Sequence, residues 1–322
     1  MVPEPSCIAR FASDLDVLAP AGSRLGIAVS GGPDSLALLL LAAAARPGLI
    51  ETATVDHGLR HGSREEALGV AAVCTQLGVP HAVLTADWAD KPEAAIQERA
   101  RVERYRLLAV WAEERGLDAV LTGHHADDQA ETLLMRLNRG AGVRGLAGMR
   151  ARSTVPGSSL PLLRPLLSWR RSELERICAA GGVQPIVDPS NVDARFERAR
   201  IRQALGDADW LDAAALTASA SHLAAADEAL DWAVEQEWRR GVLEDGAQLA
   251  YRPGDAPPEI VRRLVARAVA ALAAEGAEEP LRARELDPLL STLRSAGRAT
   301  LRGVSCSGGP EWRFSVAPPR NR

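Results

Sequence analysis

Lysine is nearly missing from this 322-residue chain: Lys91 is its only one, and every other fixed cation is arginine. Arginine is therefore the chain's ordinary carrier of positive charge, and its total signals nothing by itself. The four cysteines, Cys7, Cys74, Cys178 and Cys306, are scattered without a C-x-x-C pair. That excludes a zinc cluster of the usual spacing and a disulfide framework, and leaves them as packing residues. No apolar run approaches the roughly 20 residues of a membrane span, and Met1 to Arg10 lacks the basic-then-apolar order of a signal peptide. These absences read as a cytoplasmic globular protein. A net charge of −4 excludes nonspecific coating of nucleic acid. Internal repeats and low-complexity linkers are also missing, alanine richness aside.

What is present centres on Ser30-Gly31-Gly32-Pro33-Asp34-Ser35. Leu25, Ile27 and Val29 alternate as a buried strand that ends at Ser30, and a Leu/Ala-rich helix follows the glycines to about Ala45. The glycines let the backbone turn tightly, Pro33 suits the first helical position, and the free N–H groups of that turn suit an anion such as phosphate. The Gly-Lys-Ser/Thr ending of a Walker loop is lacking, so no lysine waits for a γ-phosphate. Asp34 stands there instead. A carboxylate beside phosphates requires a bridging divalent cation, which points to a magnesium-bound triphosphate held at Ser30 to Ser35 with Asp34 on the metal.

Further strands are expected at Leu49 to Val55, His81 to Thr85 and Asp118 to Thr122, alternating with helices from the Ser63-x-x-Glu66 capping box to Gly78 and from Pro92 to Arg115. The alternation predicts an α/β fold, a parallel sheet with helices on both faces and a ligand site at the strands' carboxyl ends. Asp56-His57 and His124-His125-Ala126-Asp127-Asp128 then share one edge with the Ser30 turn. Asp128 and Glu131, three apart on the next helix, place two carboxylates on one face. Adjacent histidines at a strand end point in opposite directions, so a shared metal is not expected, and one of the two is expected to face a nucleotide. From Arg136 to Arg202 there are 13 Arg against 5 Asp or Glu, a local excess of eight positive charges suited to a polyanion. Within this segment, the glycine-rich run 140–149 reads as a mobile loop. The chain is expected to divide into residues 1–205 and a smaller, mainly helical domain, 206–322, with helices at Asp212 to Arg240 and Pro258 to Glu275 and short strand-like pieces near Ala299 to Val304 and Trp312 to Val316.

Taken together, Ser-Gly-Gly-x-Asp-Ser at 30–35, Val-Asp-His-Gly-Leu-Arg at 55–60 and His-His-Ala-Asp-Asp-Gln-Ala-Glu-Thr at 124–132 resemble the tRNA(Ile)-lysidine synthetases of the N-type ATP pyrophosphatase (PP-loop) superfamily. The glycine run 140–149, Arg-Pro-Leu-Leu at 164–167 and Asp-Pro-Ser-Asn at 188–191 extend the match. One departure is Ala199, where the family usually carries asparagine in an Arg-Asn-x-Ile-Arg-like string. The resemblance implies an adenine-nucleotide alpha-hydrolase-like fold and a C–N ligase. That ligase adenylates the wobble cytidine of the CAU-anticodon isoleucine tRNA with ATP and Mg2+, then admits free lysine and releases AMP. It also implies adenine near Val55 and His57, a lysine amino group on Asp128 and Glu131, and an anionic group such as the lysine carboxylate facing Arg101 or Arg104. Arg144, Arg195, Arg198 and Arg202 are implied on the tRNA side. A chain of this length leaves no room for the further C-terminal domain that some members carry.

Three other readings stay open at this level. A tRNA thiolase would use the same adenylation but deliver sulfur, a free-nucleotide amidation enzyme would bring a glutamine-hydrolysing domain, and a non-catalytic nucleotide-binding tRNA module would leave Asp128 and Glu131 idle.

Overall fold

Strand-then-helix alternation is what the backbone of the computed structural model follows through its first 186 residues. It describes residues 1–58, 63–88, 96–186, 195, 197–273 and 281–318. The chain divides into two compact units, Met1–Ala224 and Ala225–Arg322, so the division falls inside a long helix rather than at the expected 205/206. The start of that helix is bonded within the first unit, through Thr217 to Ala126 O and through Arg150 to Ala224 O.

The first unit opens with α1 (Pro5–Asp16), a helix that no motif in the sequence announces. It continues with β1 (Leu25–Ala28), α2 (Pro33–Ala45), β2 (Ile50–Asp56), α3 (Ser63–Leu77), β3 (His81–Thr85), α4 (Ile96–Glu114), β4 (Ala119–Leu121), α5 (Ala126–Asn138) and α6 (Val143–Leu146). Then come β5 (Arg152–Thr154), β6 (Pro161–Leu163), α7 (Arg171–Ala180), α8 (Glu197–Asp207) and the start of α9 (Ala213–Gly241). The sheet order is β3-β2-β1-β4-β6-β5. All pairs are parallel except β5 with β6, an antiparallel edge. Alternation along each strand feeds two cores, as burial on both faces demands. Leu25, Ile27, Ala119, Leu121 and Leu163 pack with Phe11 of α1, the leucines of α2, Cys74 of α3 and Leu174 of α7. Ala53, Val120 and Leu162 pack on the other side with Tyr105, Leu108 and Trp111 of α4, which recur at helical spacing.

The glycine run 140–149 differs from expectation. It contains the short helix α6, and its carbonyls are claimed by neighbours: Arg136 Nη1 donates to Gly145 O (2.6 Å) and Gly148 O (3.0 Å). Gln129 bonds both the N–H and the C=O of Met149. Side chains of α5 thus supply the fixation that local composition lacks.

The second unit combines the remainder of α9, α10 (Pro258–Leu272) and α11 (Ala283–Arg294) with β7 (Val242–Asp245), β8 (Gln248–Tyr251), β9 (Arg298–Leu301), β10 (Val304–Ser307) and β11 (Trp312–Val316). It is helical as expected but also carries a five-stranded antiparallel sheet, β7-β8-β11-β10-β9. Only pieces of that sheet are expected from the sequence. Its signal is the two-residue loop Gly246-Ala247 between two four-residue strands, a hairpin mark that the surrounding helix pattern hides. Leu264, Val265, Leu293, Tyr251 and Phe314 form its core.

Candidate active site at the carboxyl edge of the sheet

The turn after β1 is built for close approach. Gly31 has φ +83°, and a Cβ there would lie 2.4 Å from Ile186 Cδ1. Gly32 caps α2 in an extended conformation without a side-chain cap, and Pro33 begins the helix. Its first-turn N–H groups therefore face outward, the arrangement that binds anions. Ser35 folds the turn on itself: its Oγ donates to Gly32 O (2.9 Å), accepts from Ser30 N (3.2 Å) and meets Ser30 Oγ (3.2 Å). Below the turn, Gly123 after β4 lets two backbones touch, since a Cβ there would lie 2.9 Å from the Asp34 carbonyl carbon and oxygen.

Beside this cradle, His125 is a cation among carboxylates. It is 1% exposed. Its Nε2 lies 3.5 Å from Asp34 Oδ2 and 3.5 Å from Asp128 Oδ2, and its Nδ1 lies 3.5 Å from Asp127 Oδ2. Burial works against its charged form, but pairing with Asp127 and Asp34 and the charge of Asp128 outweigh it and push its pKa up to about 10. Asp127 is tied in turn to Arg170 Nη2 (2.9 Å) and to the backbone N–H of Arg171 (2.8 Å). Burial opposes its ionisation, yet His125 and these donors hold its pKa well below the usual range. Asp34 Oδ1, like His125 Nδ1, is buried and has no hydrogen-bond partner among the described residues. An orphaned carboxylate oxygen beside an anion cradle fits a divalent cation, so Asp34 suits the metal role expected of it.

Asp128 and Glu131 come together as expected, 8% and 2% exposed. The structure adds that α8 lies against them. Arg198 Nε donates to Glu131 Oε2 (2.7 Å) and its Nη2 to Asp128 Oδ1 (2.8 Å). Arg202 Nε donates to Glu131 Oε1 (2.6 Å). Arg198 and Arg202, one helical turn apart, therefore meet the carboxylate pair, which their expected place on the tRNA side does not anticipate. Arg195 and Arg144 are exposed. Ala199 sits between Arg198 and Arg202 on α8, the two arginines that reach the acidic pair.

A third group lines the β2 side. His57 is half-buried, its Nδ1 has no partner among the described residues, and its carbonyl accepts Trp88 Nε1 (2.7 Å). Burial, then the charge of Arg104, lowers its pKa from the ordinary histidine value. The Arg104 and Arg101 guanidinium carbons stand 5.5 and 5.0 Å from the Tyr105 ring centroid. Val55 packs on the α4 side of the sheet. His124 bonds Thr122 Oγ1 through Nδ1 (2.9 Å) and is pushed down to about 3, by burial first and then by Arg164, Arg198 and Arg101 against the pull of Asp128.

Three residues of the site have roles that the sequence does not supply, although Arg164 opens the Arg-Pro-Leu-Leu run. The sequence marks His125 only as one of an adjacent pair, not as the hub of three carboxylates. Arg164 is buried and donates to Arg150 O (2.7 Å) and Ser153 Oγ (2.9 Å), while its Nε has no partner among the described residues. The Thr217 hydroxyl of α9 lies 2.9 Å from both Ala126 O and Ala213 O of its own helix, sharing its one proton between them and holding the start of that helix beside the site, and nothing in its sequence surroundings marks it. Leu59, Arg60 and residues 187–191 of the expected motifs lie outside the described residues.

Residues 8–208 match the PP-loop domain family. The chain is 50% identical to the tRNA(Ile)-lysidine synthase of Novosphingobium aromaticivorans over 96% of its length and 93% of that protein. It is 41% identical to the tRNA(Ile)-lysidine synthase of Zymomonas mobilis over 94% and 91%. Among solved structures, a U34-tRNA thiolase from Methanococcus maripaludis shares the fold, with TM-score 0.55 and 16% identity over 70% of this chain and 78% of that one. The chain belongs to the tRNA(Ile)-lysidine synthase family, with a PP-loop domain spanning most of its first unit.

Proposed function

We propose that this protein joins free lysine to the wobble cytidine of the CAU-anticodon isoleucine tRNA at the expense of ATP. The observation that carries the reading is one sheet edge with two different groups side by side. An uncapped helix N-terminus with an orphaned Asp34 oxygen adjoins a buried carboxylate pair already holding cations, and His125 Nε2 lies 3.5 Å from a carboxylate oxygen of each group.

The chemistry requires both. The cytosine 2-oxo oxygen is a poor leaving group, so it attacks the α-phosphorus of ATP, forming an O–P bond as the bond to pyrophosphate breaks. The backbone N–H groups of Gly31, Gly32, Asp34 and Ser35 would receive the charge that leaves with pyrophosphate. Asp34 would hold Mg2+, which when bound supplies further neutralisation of those phosphates. The lysine amine then attacks C2, the C2–O bond breaks, and AMP departs with that oxygen. Free lysine is an ammonium at pH 7 and must lose a proton before attack. Asp128 and Glu131 are the groups that can bind this ammonium and accept the proton, exchanging a guanidinium for it. Arg104, half-buried beside His57, is suited to the lysine carboxylate, with Arg101 at its rim. Adenine is expected along the β2 end by Val55 and His57, and Arg144 and Arg195 on the tRNA phosphates.

A sulfur-delivering variant of the chemistry is disfavoured by the cysteines. Cys178 donates to Pro33 O (3.2 Å), and burial pushes Cys178 and Cys306 up to about 11, so neither is a ready thiolate. The test is incorporation of labelled lysine into the CAU tRNA transcript with stoichiometric AMP. AMP released without lysine incorporation would overturn the reading.

A further inference from the structure

Trp210 is 81% exposed, the most exposed aromatic side chain among the described residues. A tryptophan left in water forfeits the burial that ordinarily places this residue inside. Its backbone is nevertheless fixed. The connection from α8 to α9 is a five-residue turn in which Leu211 N–H donates to Ala208 O (3.0 Å) and Asp212 Oδ1 caps Ala214 N–H (2.8 Å). Both flanking helices are anchored at the site: α8 through Arg198 and Arg202 on Asp128 and Glu131, and α9 through Thr217 on Ala126 O, next to His125. Helical rise and extended-chain reach keep the Trp210 Cα within about 17 Å of Thr217, and the indole extends further. The exposed arginines Arg195 and Arg200 belong to the same basic stretch.

We infer that Trp210 is a stacking platform for an unpaired base of the anticodon loop, a neighbour of the cytidine under modification. The inference rests on the tRNA reading above. An enzyme that acts on one base of a loop must unstack it, and the exposed bases beside it then need a new π-surface. An exposed indole on a turn with a fixed backbone supplies the stacking surface, and the arginines of the preceding α8 stretch supply the charge. The same exposure would also suit contact with a second copy of this chain, which the experiment separates.

The experiment measures binding of a CAU anticodon stem–loop RNA by wild type, Trp210→Ala and Trp210→Phe across a salt series, with sedimentation of each variant. Stacking predicts a loss of about 5- to 150-fold in affinity for Trp210→Ala, recovery to within a few-fold for Trp210→Phe, and an unchanged slope of log K against log salt, because the phosphate-binding cations all remain. Unaltered affinity in Trp210→Ala, or a change in oligomeric state that accounts for the loss, would overturn the inference. Wild type that fails to bind the RNA would overturn it together with the tRNA reading. Wild type that binds and modifies tRNA while Trp210→Ala does so equally well would remove the stacking role alone.

Discussion

Replacing Gly31 by alanine should damage the turn far more than the same change at Gly32. At Gly31 an L-residue must hold φ +83°, which costs roughly 1–2 kcal/mol. Its methyl would sit 2.4 Å from Ile186 Cδ1 and 3.3 Å from Val70 Cγ2, an overpacking worth about 1–3 kcal/mol. Restriction of the unfolded chain returns about 0.4–1 kcal/mol, so a net loss of about 1–4 kcal/mol is expected. At Gly32 the backbone is ordinary for any residue (φ −71°) and the nearest atom is Ser30 Oγ at 3.6 Å. There the weaker cap and the unfolded-state gain nearly cancel. Native-state hydrogen exchange isolates the region from the second unit, read at the Val29 and Leu36 amides, which bond Ala53 O and Gly32 O. Equal protection in the two variants would show that Gly31 is not held by its conformation and by Ile186.

Gly123→Ala should raise the KM for ATP by about tenfold or more while leaving the second unit's exchange untouched, because its methyl would push the Asp34 backbone away from β4; an unchanged KM would contradict that packing. Arg144→Ala with Arg195→Ala should weaken tRNA binding and lower the salt slope by about one for each phosphate left without its arginine, checked by filter binding at several salt concentrations. The same substitution at Arg198 should in addition alter lysine saturation, since it uncovers Asp128 and Glu131. His124 ties stability to acid. Its folded pKa of about 3 lies below the 6.5 of an unfolded histidine, so below pH 6.5 the unfolded chain takes up a proton that the folded chain refuses. Stability is therefore fully present above 6.5 and falls as pH drops toward 3. His124→Gln should flatten urea-midpoint profiles in that window, and a slope equal to wild type would refute the assignment.

Four strands of the first sheet, β1 to β4, are legible because each is short and alternates with a helix whose start the sequence marks, as at Gly32-Pro33 and Ser63-x-x-Glu66, whereas β5 and β6 follow one another without a helix and are not expected. The acidic pair is legible from its spacing of three. Less can be read where partners come from afar. Arg198 and Arg202 look like polyanion ligands in a basic stretch, and only the packing of α8 on α5 reveals that they neutralise Asp128 and Glu131. The glycine run reads as mobile because its order is imposed by Arg136 and Gln129, not by its own residues. The hairpin β7–β8 directly follows the 29-residue α9, whose pattern dominates any local window.

The central claim is that one sheet edge holds two half-reactions, phosphate chemistry at Asp34 and amine selection at Asp128 and Glu131. It is tested most directly by tRNA-dependent ATP–pyrophosphate exchange without lysine, measured beside lysine transfer in Asp34→Asn, Asp128→Asn and Glu131→Gln. Asp34→Asn is expected to lose both by about 100-fold or more, the scale of removing one group that stabilises the transition state. Asp128→Asn and Glu131→Gln are expected to keep exchange and lose transfer at low lysine. Normal transfer at low lysine in both, or exchange lost in them as fully as in Asp34→Asn, would contradict the division.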